Sequence, residues 1–95
     1  MKDEQQVIPL LLRLRRPTLF TRDQGFFSNE FCHSKYCLVT LAIEAEEAAS
    51  FIRRVLRHSS FDTQAKRMGR VLLVSQMGIR VLHGHGEETQ VGWQD

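Results

Sequence analysis

The apolar positions of the chain follow two different periods in its second half. In "RVLLVSQMGIRVL" (70–82) two short apolar runs flank a polar turn containing one glycine. Val71 to Val74 predict one strand and Ile79 to Leu82 another, with Leu72, Val74, Ile79 and Val81 as core residues. The linker Ser75-Gln76-Met77-Gly78 puts glycine where a type I turn needs a left-handed residue to close a bulged hairpin. Upstream, Ala45, Ala48, Ala49, Ile52, Val55 and Leu56 fall at i, i+3, i+4, i+7, i+10 and i+11, one apolar stripe flanked by Phe51. This predicts a helix over about 44–58. Glu44, Glu46 and Glu47 lie early and Arg53, Arg54, Arg57 and His58 late, the polarity the helix dipole favours.

Other segments are less periodic. "YCLVTLAI" (36–43) is rich in strand formers, yet Leu38, Leu41 and Ala42 also extend the helical stripe. We favour a strand to about Leu41 and a helix from about Glu44. "VIPLLLRLRRP" (7–17) is bounded by Pro9 and Pro17, which confine any helix to the residues between them; an irregular strand is the alternative. Residues 1–6 are expected to be loose. Turn chemistry at Asp23–Gly25 and Ser28–Asn29 surrounds Phe26, Phe27 and Phe31, which should seek burial. His83–Gly86 form a flexible turn, and "TQVGW" starts a further strand. The elements predict an antiparallel-leaning α+β arrangement. Residues 1–35 are read as a partly irregular N-terminal segment and 36–95 as one α+β domain.

Composition narrows the class. A chain of 95 residues suits one domain with one modest core. It is 42% hydrophobic and 25% charged, which excludes disorder over the whole length. A formal charge of +2 is too small to imply nucleic-acid binding. Two cysteines do not make a disulfide scaffold. "VIPLLL" is too short to span a bilayer and is followed by arginines rather than a cleavage site, so a cytoplasmic protein is expected.

Four constellations could carry chemistry. Arg53, Arg54, Arg57, Lys66, Arg67 and Arg70 could hold phosphate, from an anionic lipid head group or a phosphorylated peptide; the plainer reading is a solvated helix face. Cys32, His33 and Cys37, completed by His83 and His85, could ligate zinc, although the C-x4-C spacing is loose. Cys32 can be paired with His58 or His83 as a nucleophile and base, but no elbow, phosphate loop or paired carboxylates frame it, so no enzymatic activity and no cofactor are expected. "PLLLRLRRP" places leucines beside arginines, suited to a membrane surface, a partner groove or core packing.

The helix "EAEEAASFIRRVLRH", a basic and polar connection, and then "RVLLVSQMGIRVLHGHGEETQV" resemble the phosphotyrosine-binding (phosphotyrosine-interaction) domain family, variants of the pleckstrin-homology superfold. In that family a strand pair reads apolar-x-apolar-Ser-x-x-Gly-Ile-x-Val; here those positions are Leu72, Val74, Ser75, Gly78, Ile79 and Val81. The resemblance covers residues 44–92, the N-terminal half of such a domain. "YCLVTLAI" departs from the Tyr-Leu-Gly-type motif of the family's first strand. The resemblance implies a partial, PTB-like antiparallel sheet and a truncated form of a cytoplasmic adaptor. Its partner would be an Asn-Pro-x-Tyr-type peptide, near a phosphoinositide-bearing membrane, with no role for nucleic acid. The alternative is an unrelated small α+β protein that assembles with itself through an open sheet edge.

Overall fold

The computed structural model, which describes residues 3–84 and 86–93, sets five strands across one sheet in chain order. They are β1 (Thr18–Thr21), β2 (Cys37–Leu41), β3 (Val71–Ser75), β4 (Gly78–Leu82) and β5 (Glu88–Val91). Three helices accompany them: α1 (Asp3–Arg13), α2 (Ala48–Arg57) and the short α3 (Gln64–Arg67). Single 3-10 turns occupy Gln24–Phe26, Asn29–Phe31 and Ala45–Glu47, the last leading directly into α2. The α+β class, the helix and the hairpin follow the apolar pattern, and 36–43 resolves in favour of a strand. The expected antiparallel sheet is corrected to a mixed one: β2 pairs parallel with both β1 and β3, and only β3–β4 and β4–β5 are antiparallel. Parallel pairing needs a crossover, and residues 42–70, with α2 and α3, supply one between β2 and β3.

Side chains alternate cleanly across the sheet. Cys37, Val39, Leu41, Leu72, Val74, Ile79 and Val81 face α2 and form the first core with Phe51, Val55 and Phe61. Leu38, Val71 and Leu82 face the other way and form a second core with Leu11, Phe26 and Tyr36, flanked by Ile8, Leu19, Phe27, Phe31 and Cys32. Every residue of β2 is buried because both its neighbours and both its faces are covered. Its one polar side chain, Thr40, donates a 2.7 Å hydrogen bond to the Leu72 carbonyl, which removes the penalty of burying a lone hydroxyl. The connection from β1 to β2 runs over the second core and that from β2 to β3 over the first. With the strands in sequential order, the two crossovers have opposite hands, so one is left-handed against the usual preference.

Three local expectations change. The buried line of α2 runs through Phe51 and Val55, with Ala48 and Ile52 half-buried, while Ala45 and Ala49 are exposed and Leu56 keeps 38% of its surface. An aromatic ring removes far more apolar surface from water than alanine does, so Phe51 sets the rotation of the helix. Second, α1 begins at Asp3 rather than after Pro9, with Pro9 inside it. Proline removes one rung of the helical ladder there; burial of Leu11 and partial burial of Ile8 against the second core hold the helix in place. Third, residues 18–21 of the N-terminal segment pair with β2 and so belong to the sheet.

The hairpin closes with glycine at the expected position but without the expected bulge: Gln76 and Met77 form a two-residue turn, and Ser75 pairs with Gly78 in the same register as Val74 with Ile79. Among the described residues other than glycine only Arg16 has positive φ, so Gln76 and Met77 keep negative values and Gly78 takes φ +146°. A Cβ at Gly78 would stand 2.7 Å from the Val91 carbonyl oxygen, so glycine also permits the approach of β5. At the end of the chain, the Trp93 indole N–H donates to the Ser75 carbonyl at 2.9 Å, and its ring meets Phe51 edge-on at 5.5 Å between centroids. His58, buried at the end of α2, accepts the Ser60 N–H on Nδ1 (3.1 Å). Its Nε2 therefore carries the proton and donates to the Gly92 carbonyl at 2.8 Å.

Candidate functional site

The six basic residues singled out in the sequence do not form one patch. Arg53 and Arg57 are exposed on α2. Arg54 lies with its guanidinium 4.2 Å from the centre of the Trp93 ring and 4.8 Å from that of Phe51, so it clasps the end of β5 to the helix. Arg67 donates to Thr18 Oγ1 (3.0 Å) and to the Phe61 carbonyl (2.8 Å), fastening α3 to β1 and to the loop after α2. These two are structural cations. Lys66 and Arg70 remain, and they share a cleft.

That cleft, about 330 Å³, lies on the α2 face between the connection to β3 and the β4–β5 edge. Ser59, Ser60 and Phe61 line it from the loop after α2, Lys66 and Arg70 from α3 and the residues beyond. Val81 and His83 come from β4 and its end, and Thr89 and Val91 from β5. Lys66 Nζ is anchored by the Ser59 carbonyl (2.7 Å) and Asp62 Oδ1 (3.0 Å). The Arg70 guanidinium donates to the Lys66 carbonyl, which caps α3 and orients the side chain. His83 Nε2 is 2.9 Å from Thr89 Oγ1. Arg70, Lys66 with its Asp62 partner, an imidazole and three hydroxyls thus surround an apolar floor, donor chemistry suited to a phosphate or carboxylate that competes with Asp62 for Lys66. His83 entered the sequence reading only as a zinc ligand or catalytic base, and Ser59, Ser60 and Thr89 did not enter it. Val81 pairs with Thr89 across β4–β5, and no local pattern brings that pair under Lys66.

The cleft borders a free sheet edge. The His83 N–H donates to the Glu87 carbonyl, which makes Val81–Thr89 and Ile79–Val91 the hydrogen-bonded pairs of the β4–β5 ladder. The N–H and C=O groups of Glu88 and Gln90 therefore point away from β4, unpaired among the described residues. A strand added there would sit ~4.8 Å beyond β5 and place alternate side chains on the face of Thr89 and Val91.

The other constellations are dispersed. Cys37 belongs to the first core and Cys32 to the second, so the sheet separates the two thiols and they cannot share an ion. His85 lies outside the described residues. Among the described residues, no three His, Cys, Asp or Glu side chains come together as metal ligands. Burial pushes the Cys37 thiol up to about 12 and also raises Cys32, whose Sγ donates to the Leu82 carbonyl (3.6 Å); both favour the unreactive thiol over the thiolate. His58 packs against Phe61 and Trp93 on the first-core side, with both ring nitrogens bonded to backbone groups, and His83 Nε2 is engaged by Thr89, while Cys32 Sγ is bonded to the Leu82 carbonyl.

A wider cleft of about 460 Å³ opens at the C-terminal ends of β1 and β2, where the two crossovers diverge. Ligands often bind at such points, but its lining, Gln24, Ala42, Ile43, Glu44, Ser75, Gln76 and Met77, holds a single charged side chain. The basic cleft has the more convergent chemistry. No protein-family model, no curated protein and no solved structure matches the chain. Among the described residues, no helix is long and apolar enough to cross a membrane.

Proposed function

We propose that the protein is a non-catalytic interaction module that adds an extended peptide to the free edge of β5 and seats an anionic side chain of that peptide, a phosphate above all, in the basic cleft. The observation that carries this reading is the convergence of Lys66, Arg70 and His83 with Ser59, Ser60 and Thr89 next to an unpaired edge. Main-chain pairing would supply affinity, and the charged cleft would supply selectivity. The resemblance to phosphotyrosine-binding domains points the same way, to a cytoplasmic adaptor role in signalling, and makes an Asn-Pro-x-Tyr peptide the first ligand to try.

The test is a binding titration of the full chain with that peptide in phosphorylated and unphosphorylated forms. The phosphorylated form should bind more tightly, inorganic phosphate should compete, and Arg70→Gln should weaken binding ~10- to 100-fold, the worth of a charge-assisted hydrogen bond. Equal affinity for the two forms, with Arg70→Gln unchanged, would reject the cleft as the site. A second reading, self-assembly, is favoured by the same edge: two β5 strands could pair antiparallel. Sedimentation of the free protein decides between them, because a stable dimer would leave no edge for a peptide.

A further inference from the structure

The end of α1 presents a second surface, on the face of the sheet opposite the cleft. Leu11 is buried at 3% exposure against the second core. That anchor turns its neighbours outward: Leu10 keeps 55%, Leu12 39% and Leu14 51% of their surface. Scattered exposed leucines need no explanation, but clustered ones do. Among the described residues Leu12 and Leu14 are two of the five exposed large apolar side chains, and they line one depression together, whereas Leu10 lies on the other flank of Leu11. Arg13, Arg15, Arg16 and Lys35 surround Leu12 and Leu14 in a shallow depression. None of these four cations has an ion-pair partner among the described residues.

We infer that this surface docks on an anionic lipid bilayer, with the leucines entering the boundary of the acyl region and the four cations meeting the phosphates of the head groups. The charge argues for that occupant. A protein groove that takes leucines would have to desolvate the interleaved guanidiniums, whereas a bilayer interface offers hydrocarbon and anionic oxygen at adjacent depths. Because α1 covers the second core and the basic cleft lies on the α2 face, a docked molecule leaves the cleft open to solvent. None of the residues of this surface lines the basic cleft.

Co-sedimentation of the full chain with vesicles tests it. Binding is expected to vesicles of phosphatidylcholine mixed with phosphatidylserine and not to phosphatidylcholine alone, falling steeply with salt. Each charge removed from Arg13, Arg15 and Arg16 should weaken binding about fivefold, and Leu12→Ser with Leu14→Ser should abolish it. These side chains are exposed, so circular dichroism and the unfolding midpoint should match the parent protein. Should the leucine variant not fold, the three arginine-to-glutamine changes carry the test alone. Binding that is absent, or indifferent to both sets of changes, overturns the inference. So does a lipid-free dimer that the leucine changes dissolve, since the occupant would then be a second copy of the chain.

Discussion

On one face of the sheet a ten-residue helix lays Phe51 and Val55 over seven alternating strand residues; on the other, two 3-10 turns and the end of α1 cover three strand residues with Phe26, Tyr36 and Leu11. The first face is built from one element whose apolar stripe meets a regular pleat, and its core contains Val55, Leu72 and Val74 at 0% exposure. The second is built from turns, each fixed by its own side chain: Asp23 accepts the Gly25 N–H at 3.0 Å and Ser28 the Glu30 N–H at 3.4 Å. Half-buried Phe27 and Phe31 complete it. The difference teaches that the same sheet can be covered by periodicity on one side and by local turn chemistry on the other. The two should differ in stability and in how readily they open.

The largest effect expected is from Phe61→Ala on the α2 face, a loss of about 3–5 kcal/mol in denaturant unfolding, as for a fully buried ring. Phe31→Ala on the opposite face should cost about half as much, because its ring is only half-buried. Equal losses would erase the distinction between the faces. Next, Gly78→Ala should destabilise by about 1–3 kcal/mol, since it combines an unfavourable φ with a clash against β5. Loss of hydrogen-exchange protection confined to β4 and β5 would locate the effect.

The thiols probe the same contrast. Cys37 sits in the first core and its pKa is pushed from the ordinary 9.0 up to about 12 by burial. The folded protein thus keeps a proton that the unfolded chain loses above pH about 9.0, so this contribution is whole below that pH and drains away as pH rises toward about 12. The slope should approach ~1.4 kcal/mol per pH unit and flatten in Cys37→Ala. At neutral pH a thiol reagent should modify Cys32, on the second face, well before Cys37; simultaneous modification would mean that the faces open together. Smallest of all, Glu88→Gln removes an exposed ion pair with Arg80 (2.6 Å) that lowers the Glu88 carboxyl pKa and raises that of Arg80. The unfolding midpoint should stay within error, as for most surface pairs.

How much of this was legible in advance depends on sequence separation. The hairpin and α2 were readable because the residues that decide them lie within a few positions of one another. Even there the rotation of α2 departs from the predicted stripe: Phe51 and the ring of Trp93, 42 residues later, decide which side is buried. The register of Thr18 with Cys37 and of Leu38 with Val71 left no local mark. The basic residues were visible as a group, yet their division was not. Arg54 and Arg67 became structural because Trp93, Thr18 and Phe61 are placed by distant strands. The cleft draws on four separate segments: the two serines already stand beside Lys66 in the connection after α2, but Thr89 and Val91 join only when β5 pairs with β4.

By itself, the order of amino acids determined the α+β class, the hairpin with its required glycine, and the position of the central helix, because propensity, period and turn chemistry act over short stretches. Only the tertiary structure decided that β1, β2 and β3 run parallel, that the two cysteines lie on opposite sides of the sheet, and which cations stay available for a ligand. Those outcomes depend on which of several similar apolar faces meet, and that choice follows from close packing across the whole chain rather than from any segment of it.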